Sequence, residues 1–245
     1  MSISPTARVA AAYARIAEVD RPEVWVTLRD KDILEAEARE VERQLADGAN
    51  LPLAGLIVAV KDNVDVEGLP TTAACPEFAY PAIETATAVQ RLRDAGALII
   101  GKTNLDQFAT GLVGTRSPYG AVRNAFHPEL VSGGSSSGSA VAVALGIADI
   151  GIGTDTAGSG RVPAAFNNLV GVKATLGVIP THGVVPACID YDAVTVFARD
   201  LDLAVRAART MSGPDEKTRV VAPGQPTFRW PRDRSRTSRS RARKT

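Results

Sequence analysis

Three short apolar runs, each led in by a stretch of helical periodicity, constrain this chain more than any other feature. LAGLIVAVKD, residues 53–62, follows DILEAEAREVERQL, where Ile33, Leu34, Ala38, Val41 and Leu45 recur at helical spacing. Gly48, Asn50 and Pro52 supply the stop that ends this helix, predicted over 31–47. TAVQRLRDAG, 87–96, leads into ALIIG, and SAVAVALGIA, 139–148, leads into IGIGT. Further helices are expected near 5–18 and 200–212. Helices alternating with strands this short and apolar predict an α/β protein whose sheet is covered by helices.

The periodicity stops near Val221. The end of the chain, FRWPRDRSRTSRSRARKT, holds eight of the 28 basic residues and one of the 27 acids, so it carries +7 and the rest carries −6. An Arg/Ser-rich segment of this kind builds no packed core. The sequence therefore divides into 1–220, a globular unit, and 221–245, a basic tail expected to stay disordered. The acidic body gives no reason to expect nucleic acid as a partner, and a basic arm for nucleic acid is an alternative reading of the tail alone. Arg8, Arg15, Glu18 and Asp20 interrupt the N-terminal apolar residues, which excludes a signal-peptide core, and no apolar run approaches a membrane span. With Cys75 and Cys188 as its two cysteines, read as small core residues, the chain fits a reducing, cytoplasmic setting.

Three motifs could carry chemistry. GALIIGKT, 96–103, has the spacing of a phosphate-binding loop, but its middle residues read as a strand and a helix precedes it, the reverse of the order such a loop needs. GSSSG, 134–138, fits a nucleophile elbow centred on Ser136, yet the segment before it reads as a loop, and of the two histidines, His127 and His182, only His182 lies downstream. The third candidate is Lys61, at the end of an apolar strand. Burial disfavours the charged amine and can make it a base, as in Ser-Lys catalytic pairs. An ion pair with Asp62 or Asp65 is the competing reading, and residue chemistry alone leaves the two level.

IVAVKDNVDVEGLPTTAACP, GGSSSGSAVAVALG and GTDTAGSGRVPAAFNNLVGVKAT together resemble the amidase signature family over about residues 50–212. The resemblance implies that family's fold, a mixed β-sheet covered by helices, and amide hydrolysis by a Ser-cis-Ser-Lys triad. Carried over by motif, the base falls on Lys61, the bridging serine on Ser135 after a cis Gly134–Ser135 bond, and the nucleophile on Ser159. Thr156, Ala157, Gly158 and Ser159 would aim N–H groups at the oxyanion, and Gly111 would form part of the substrate wall. Ser136, Ser137 and Ser139 are expected to be loop hydrogen-bonders or helix caps, and Asp155 and Arg161 to brace the nucleophile loop.

Within the family, TTAACPEFAY, KTNLDQFATGLVGTRSPYGAVRNAF and THGVVPAC are similar to the allophanate hydrolase branch. That resemblance implies a small amide substrate, hydrolysed to ammonia and carbon dioxide during urea degradation. It also implies no cofactor or metal, a functional link to a biotin-dependent urea carboxylase, and an assembly that could be a homodimer. Another small-amide amidase, an amidotransferase A-type subunit or a non-catalytic remnant are the alternatives. The family's domain continues beyond the point where this chain turns basic, so the fold is expected to be incomplete at its C-terminus and the tail to be a frameshifted or misassigned end. Ala174 and Leu176 stand where the family usually has Pro and Arg.

Overall fold

The computed structural model describes residues 3–213; the basic tail, 221–245, lies outside the described residues. Among the described residues, six α-helices and eight strands follow in order. Helix α1 (Pro5–Val19) begins at Ser4, whose hydroxyl accepts the Ala7 N–H at 3.3 Å, with Pro5 in the first turn. Strand β1 (Trp25–Leu28) and α2 (Lys31–Ala46) come next, then β2 (Ile57–Lys61) and the small hairpin of β3 (Pro70–Thr71) and β4 (Tyr80–Pro81). Helix α3 (Thr87–Asp94), β5 (Leu98–Thr103), α4 (Ser137–Ala144) and β6 (Ile150–Asp155) follow, and α5 (Arg161–Phe166), β7 (Val170–Lys173), β8 (Ala193–Ala198) and α6 (Leu201–Ser212) complete the set. Among the described residues no helix is long and apolar enough to cross a membrane.

Six strands form one mixed sheet in the order β1-β5-β2-β6-β8-β7. Its centre, β5, β2 and β6, is parallel, and β1 and β8 flank it antiparallel. Side chains alternate between two cores, as the pleat requires. Val58, Val60, Ile99, Ile150 and Ile152 face α3 and α6, while Ile57, Ala59, Leu98 and Ile100 face α1, α2 and α4. The expected α/β sandwich is present, with β1, β7, β8 and α5 added to the elements read from periodicity.

Helix α4 is buried on every side, which explains why its sequence shows no polar stripe. It lies close against β6 because that strand offers glycines. A Cβ at Gly151 would sit 2.8 Å from the Ser139 carbonyl, and one at Gly153 would sit 2.6 Å from Ser136 Oγ. Two expectations about burial fail. In α2 only Leu34, Ala38 and Val41 are buried, whereas Ile33 and Leu45 lie on the exposed flank of the apolar stripe. Cys75 is half-buried and Cys188 exposed, because both sit in loops rather than under the sheet.

The GALIIGKT segment forms no phosphate loop: residues Leu98–Thr103 are β5 itself, and Lys102 is fully buried in it. Its ammonium meets Asp62 Oδ1 at 3.1 Å and donates to Thr71 Oγ1 at 2.9 Å. Burial still lowers its pKa, against the pull of Asp62. Removing one partner of such a pair strands a buried charge. Asp62→Ala should therefore destabilise the fold by about 3–5 kcal/mol in urea unfolding, and adding Lys102→Met should recover most of that loss.

Candidate active site

Lys61 is the last residue of β2 and has no exposed surface. Its Nζ donates to Ser135 Oγ at 2.8 Å and to Thr154 Oγ1 at 2.7 Å. No carboxylate among the described residues lies within ion-pair distance of it. Asp62, one of the two candidate partners, is taken by Lys102, and Asp65 accepts the hydroxyls of Thr71 and Tyr80 at 2.7 and 2.8 Å. The ion-pair reading of Lys61 with Asp62 or Asp65 is thus excluded by geometry. Burial pushes the Lys61 amine down to about 7, although Asp106, Asp155 and Asp192 pull it upward from farther away.

Ser135 follows a cis Gly134–Ser135 peptide bond and precedes α4. Gly134 is needed here: a Cβ would fall 2.1 Å from Asp106 Oδ2 and 2.7 Å from the Gly114 nitrogen. Asp106 is fully buried and knits the surrounding loops. It accepts the N–H groups of Gly114 at 3.0 Å and Arg116 at 2.9 Å, and its own N–H donates to the Ser135 carbonyl at 3.1 Å.

Ser159 lies in the turn between β6 and α5, almost wholly buried. Its hydroxyl leans toward the Gly111 carbonyl at 3.5 Å, and its carbonyl accepts the Ser136 N–H at 3.2 Å. Asp155 holds this turn from below. Its carboxylate accepts the N–H of Gly158 at 2.9 Å and those of Gly160 and Arg161 at 3.0 Å, together with the Arg161 guanidinium at 2.8 and 2.9 Å. Burial alone would raise the Asp155 pKa, but the Arg161 bonds and the two backbone donors outweigh it and hold the group at about 2. The oxyanion donors expected from the motif need correction on this point. The Gly158 N–H is committed to Asp155 and is not free for an oxyanion, whereas the N–H groups of Ala157 and Ser159 have no partner among the described residues. The Thr156 hydroxyl donates to Asp192, and Asp192 also collects the N–H groups of Ala187 and Cys188 at 2.9 and 3.0 Å.

The remaining serines are structural. Ser136 exchanges hydrogen bonds with the Thr154 backbone at 3.1 and 3.2 Å, and Ser139 donates to the Ile152 carbonyl at 2.8 Å. Both staple α4 to β6; Ser136 occupies the N-cap position without a side-chain cap bond, and Ser137 Oγ is buried without a partner. The histidine-based alternative has no base. His127 and His182 are both exposed, facing Glu129 and Glu84 at 3.5 and 3.4 Å.

A cavity of about 430 Å³ opens over Ser159, walled by Gly111, Leu112, Thr156, Ala157 and Ala187 with Arg116 at its side. It brings the turn that carries Ser159 and the loop that carries Gly111 together. Sequence reasoning missed Thr154, Asp106, Asp192 and Arg116. Thr154 lies beside the Gly-rich motif, but the others have no local pattern: their roles arise from loops meeting in space.

The model of the family described as Amidase matches residues 7–240. Urea amidolyase of Saccharomyces cerevisiae is 56% identical over 200 residues, which are 82% of this chain and 11% of that protein. The A-type subunit of the glutamyl-tRNA(Gln) amidotransferase of Symbiobacterium thermophilum is 43% identical over 210 residues, 84% of this chain and 43% of its own length. The structure of Kluyveromyces lactis allophanate hydrolase superposes with a TM-score of 0.78 at 48% identity, covering 86% of this chain and 35% of that one. The chain thus spans less than half the length of each of these relatives. A family match over nearly the whole chain, relatives this similar and the shared mixed-sheet fold establish that the chain belongs to the amidase family.

Proposed function

We propose that this chain carries the base, bridge and nucleophile of an amide hydrolase acting on allophanate or a closely similar small amide, with residues 1–220 as the amidase unit and 221–245 as a basic appendage. The observation that carries the reading is Lys61, a fully buried amine partnered by hydroxyls and by no carboxylate among the described residues. Such an amine is neutral for much of the time near neutral pH and can take a proton from Ser135 Oγ at 2.8 Å. Ser135 in turn takes the proton of Ser159, whose present bond to Gly111 is long at 3.5 Å and easily exchanged when the side chain rotates.

Ser159 Oγ then adds to the amide carbonyl, and the negative charge develops on the carbonyl oxygen beside the unpaired N–H groups of Ala157 and Ser159. Collapse of that adduct breaks the C–N bond. The proton held by Lys61 returns through Ser135 to the leaving nitrogen, releasing ammonia. Water, activated along the same relay, cleaves the resulting ester and restores Ser159. From allophanate the product is a carboxylated carbamate, which sheds carbon dioxide without further help from the protein.

Allophanate is favoured over glutamine as the amide by the greater identity to urea amidolyase than to the amidotransferase subunit. In this reading, a biotin-dependent urea carboxylase supplies the substrate.

Ser159→Ala and Lys61→Ala should each lower kcat/KM for ammonia release from allophanate by about 10³-fold or more, with His182→Ala close to the parent. The working form of Lys61 is the neutral amine, so kcat should rise as pH rises through about 7 and then level off. A rate that falls through that range would reject Lys61 as the base. Asp155→Asn should reduce kcat by about 10²-fold through a loosened nucleophile turn. It should also cost about 2–3 kcal/mol in denaturant unfolding, because bonds to a charged acceptor are lost.

A further inference from the structure

We infer that Asn63 is a positioning residue of this site: its neutral amide fixes Thr154, the hydroxyl beside the Lys61 amine, and ties it to the segment that walls the cavity over Ser159. The inference deepens the hydrolase reading and rests on it for the role of Lys61 as base. Past the end of β2 the side chains keep alternating, so Asp62 turns to Lys102 while Asn63 follows Lys61 to Thr154. Asn63 is 1% exposed, and its Nδ2 donates to Thr154 Oγ1 at 3.3 Å and to the Val185 carbonyl at 3.1 Å. A carbonyl oxygen meets only a donor at that distance, so Val185 settles which way the amide points. Oδ1 is then buried without a partner among the described residues. A buried polar atom in this state costs stability, and its retention calls for a compensating role.

That role has two sides. At the amine, Lys61 and Asn63 donate to one oxygen, Nζ at 2.7 Å and Nδ2 at 3.3 Å. The amide N–H competes with the ammonium for Thr154 and places the positive end of its dipole beside it, which favours the neutral amine. A carboxylate of the same shape would do the reverse and become the counter-ion that Lys61 lacks. The other groups around the amine leave that position open: Asp62 is held by Lys102, Asp65 by Thr71 and Tyr80, and Asp106, Asp155 and Asp192 act from farther away. At the wall, the Asn63 carbonyl accepts the Val185 N–H at 2.8 Å, so side chain and backbone grip one residue, and Val64 bridges Val184 beside it. Ala187, two residues on, lines the cavity and donates its N–H to Asp192, which also takes the Thr156 hydroxyl in the nucleophile turn. One segment is therefore fastened to the base by Asn63 and to the nucleophile turn by Asp192.

NMR titration of the full chain with isotope-labelled lysine reads the amine without turnover, with Lys61→Met assigning its signal. Asn63→Asp should raise the midpoint of the Lys61 titration by about one pH unit or more, and Asn63→Leu, which removes the competing N–H, should raise it by less. In allophanate turnover, kcat of Asn63→Asp should fall several-fold near neutral pH and recover above the new midpoint. Asn63→Leu should lower kcat and raise KM across the pH range, because the wall segment is loosened as well. Midpoints that stay or fall in variants with parental near-UV circular dichroism would overturn the inference, and so would parental kcat and KM in Asn63→Leu. Should Asn63→Asp fail to fold, the midpoint in Asn63→Leu decides by its direction. Shifted midpoints in a chain that hydrolyses no amide support the positioning by Asn63, and the hydrolase reading alone then fails.

Discussion

The site depends on one buried amine left without a counter-ion. Lys61 is the last residue of β2 and Lys102 the last but one of the neighbouring parallel strand β5; the two are equally inaccessible and differ in the face of the sheet they occupy. Lys102 pairs in register with Val60 and shares its side of the sheet, where Asp62 waits; Lys61 pairs with Thr103 and points with it toward α4, where it finds Ser135 and Thr154. Desolvating an ammonium costs several kcal/mol unless a partner offsets it. Lys102 is compensated and structural. Lys61 is not, and a proton is easily lost from it.

Keeping Lys61 uncompensated requires that nearby acids be occupied elsewhere. Asp106, Asp155 and Asp192 all raise its pKa to some degree, yet each spends its oxygens on loop N–H groups or on Arg161. The same bonds solve a second problem. The loops that bring Gly111, Ser135 and Ser159 together lack ladder partners for their backbone amides, and buried amides without partners are costly. Three buried carboxylates therefore fix three loops and at the same time mute their own fields at the amine. The Gly158 N–H is drawn into this scheme, whereas the N–H groups of Ala157 and Ser159 in the same turn have no partner among the described residues.

The central strands and long helices were legible because apolar period and stop residues act locally: β2, β5, β6 and α2 fall within a few residues of expectation. Strands β1 and β7 are four residues each, too short for a periodic signal, and β8 lies after a long loop whose polarity hides it. The positions that the family motif marks, Lys61, Ser135 and Ser159, converge on one corner of the sheet, but the motif says nothing of what surrounds them. Asp106 and Arg116 sit 45 and 55 residues after Lys61, in loops with no pattern of their own, and become visible only when the loops are folded over the sheet. The histidines misled in the opposite direction, since residue type suggested a base that exposure rules out.

Relatives with different amides share this part of the chain, and the structure suggests how. The amine and the bridging serine sit at a strand end and a helix start, elements clamped by close glycine contacts between α4 and β6. Substitution there meets backbone within 3 Å, so the relay has little freedom to vary. The wall over Ser159 is loop, carrying Leu112 and Arg116 on a backbone whose hydrogen bonds do not involve their side-chain ends except through Thr110. Residues there can change without moving the relay, because Asp106 binds the loop through N–H groups that every residue but proline supplies. On the proposed hydrolase reading, reaction type is thus set by the sheet and its first buried helix, and choice of amide by a loop that the same buried acid holds above Ser159.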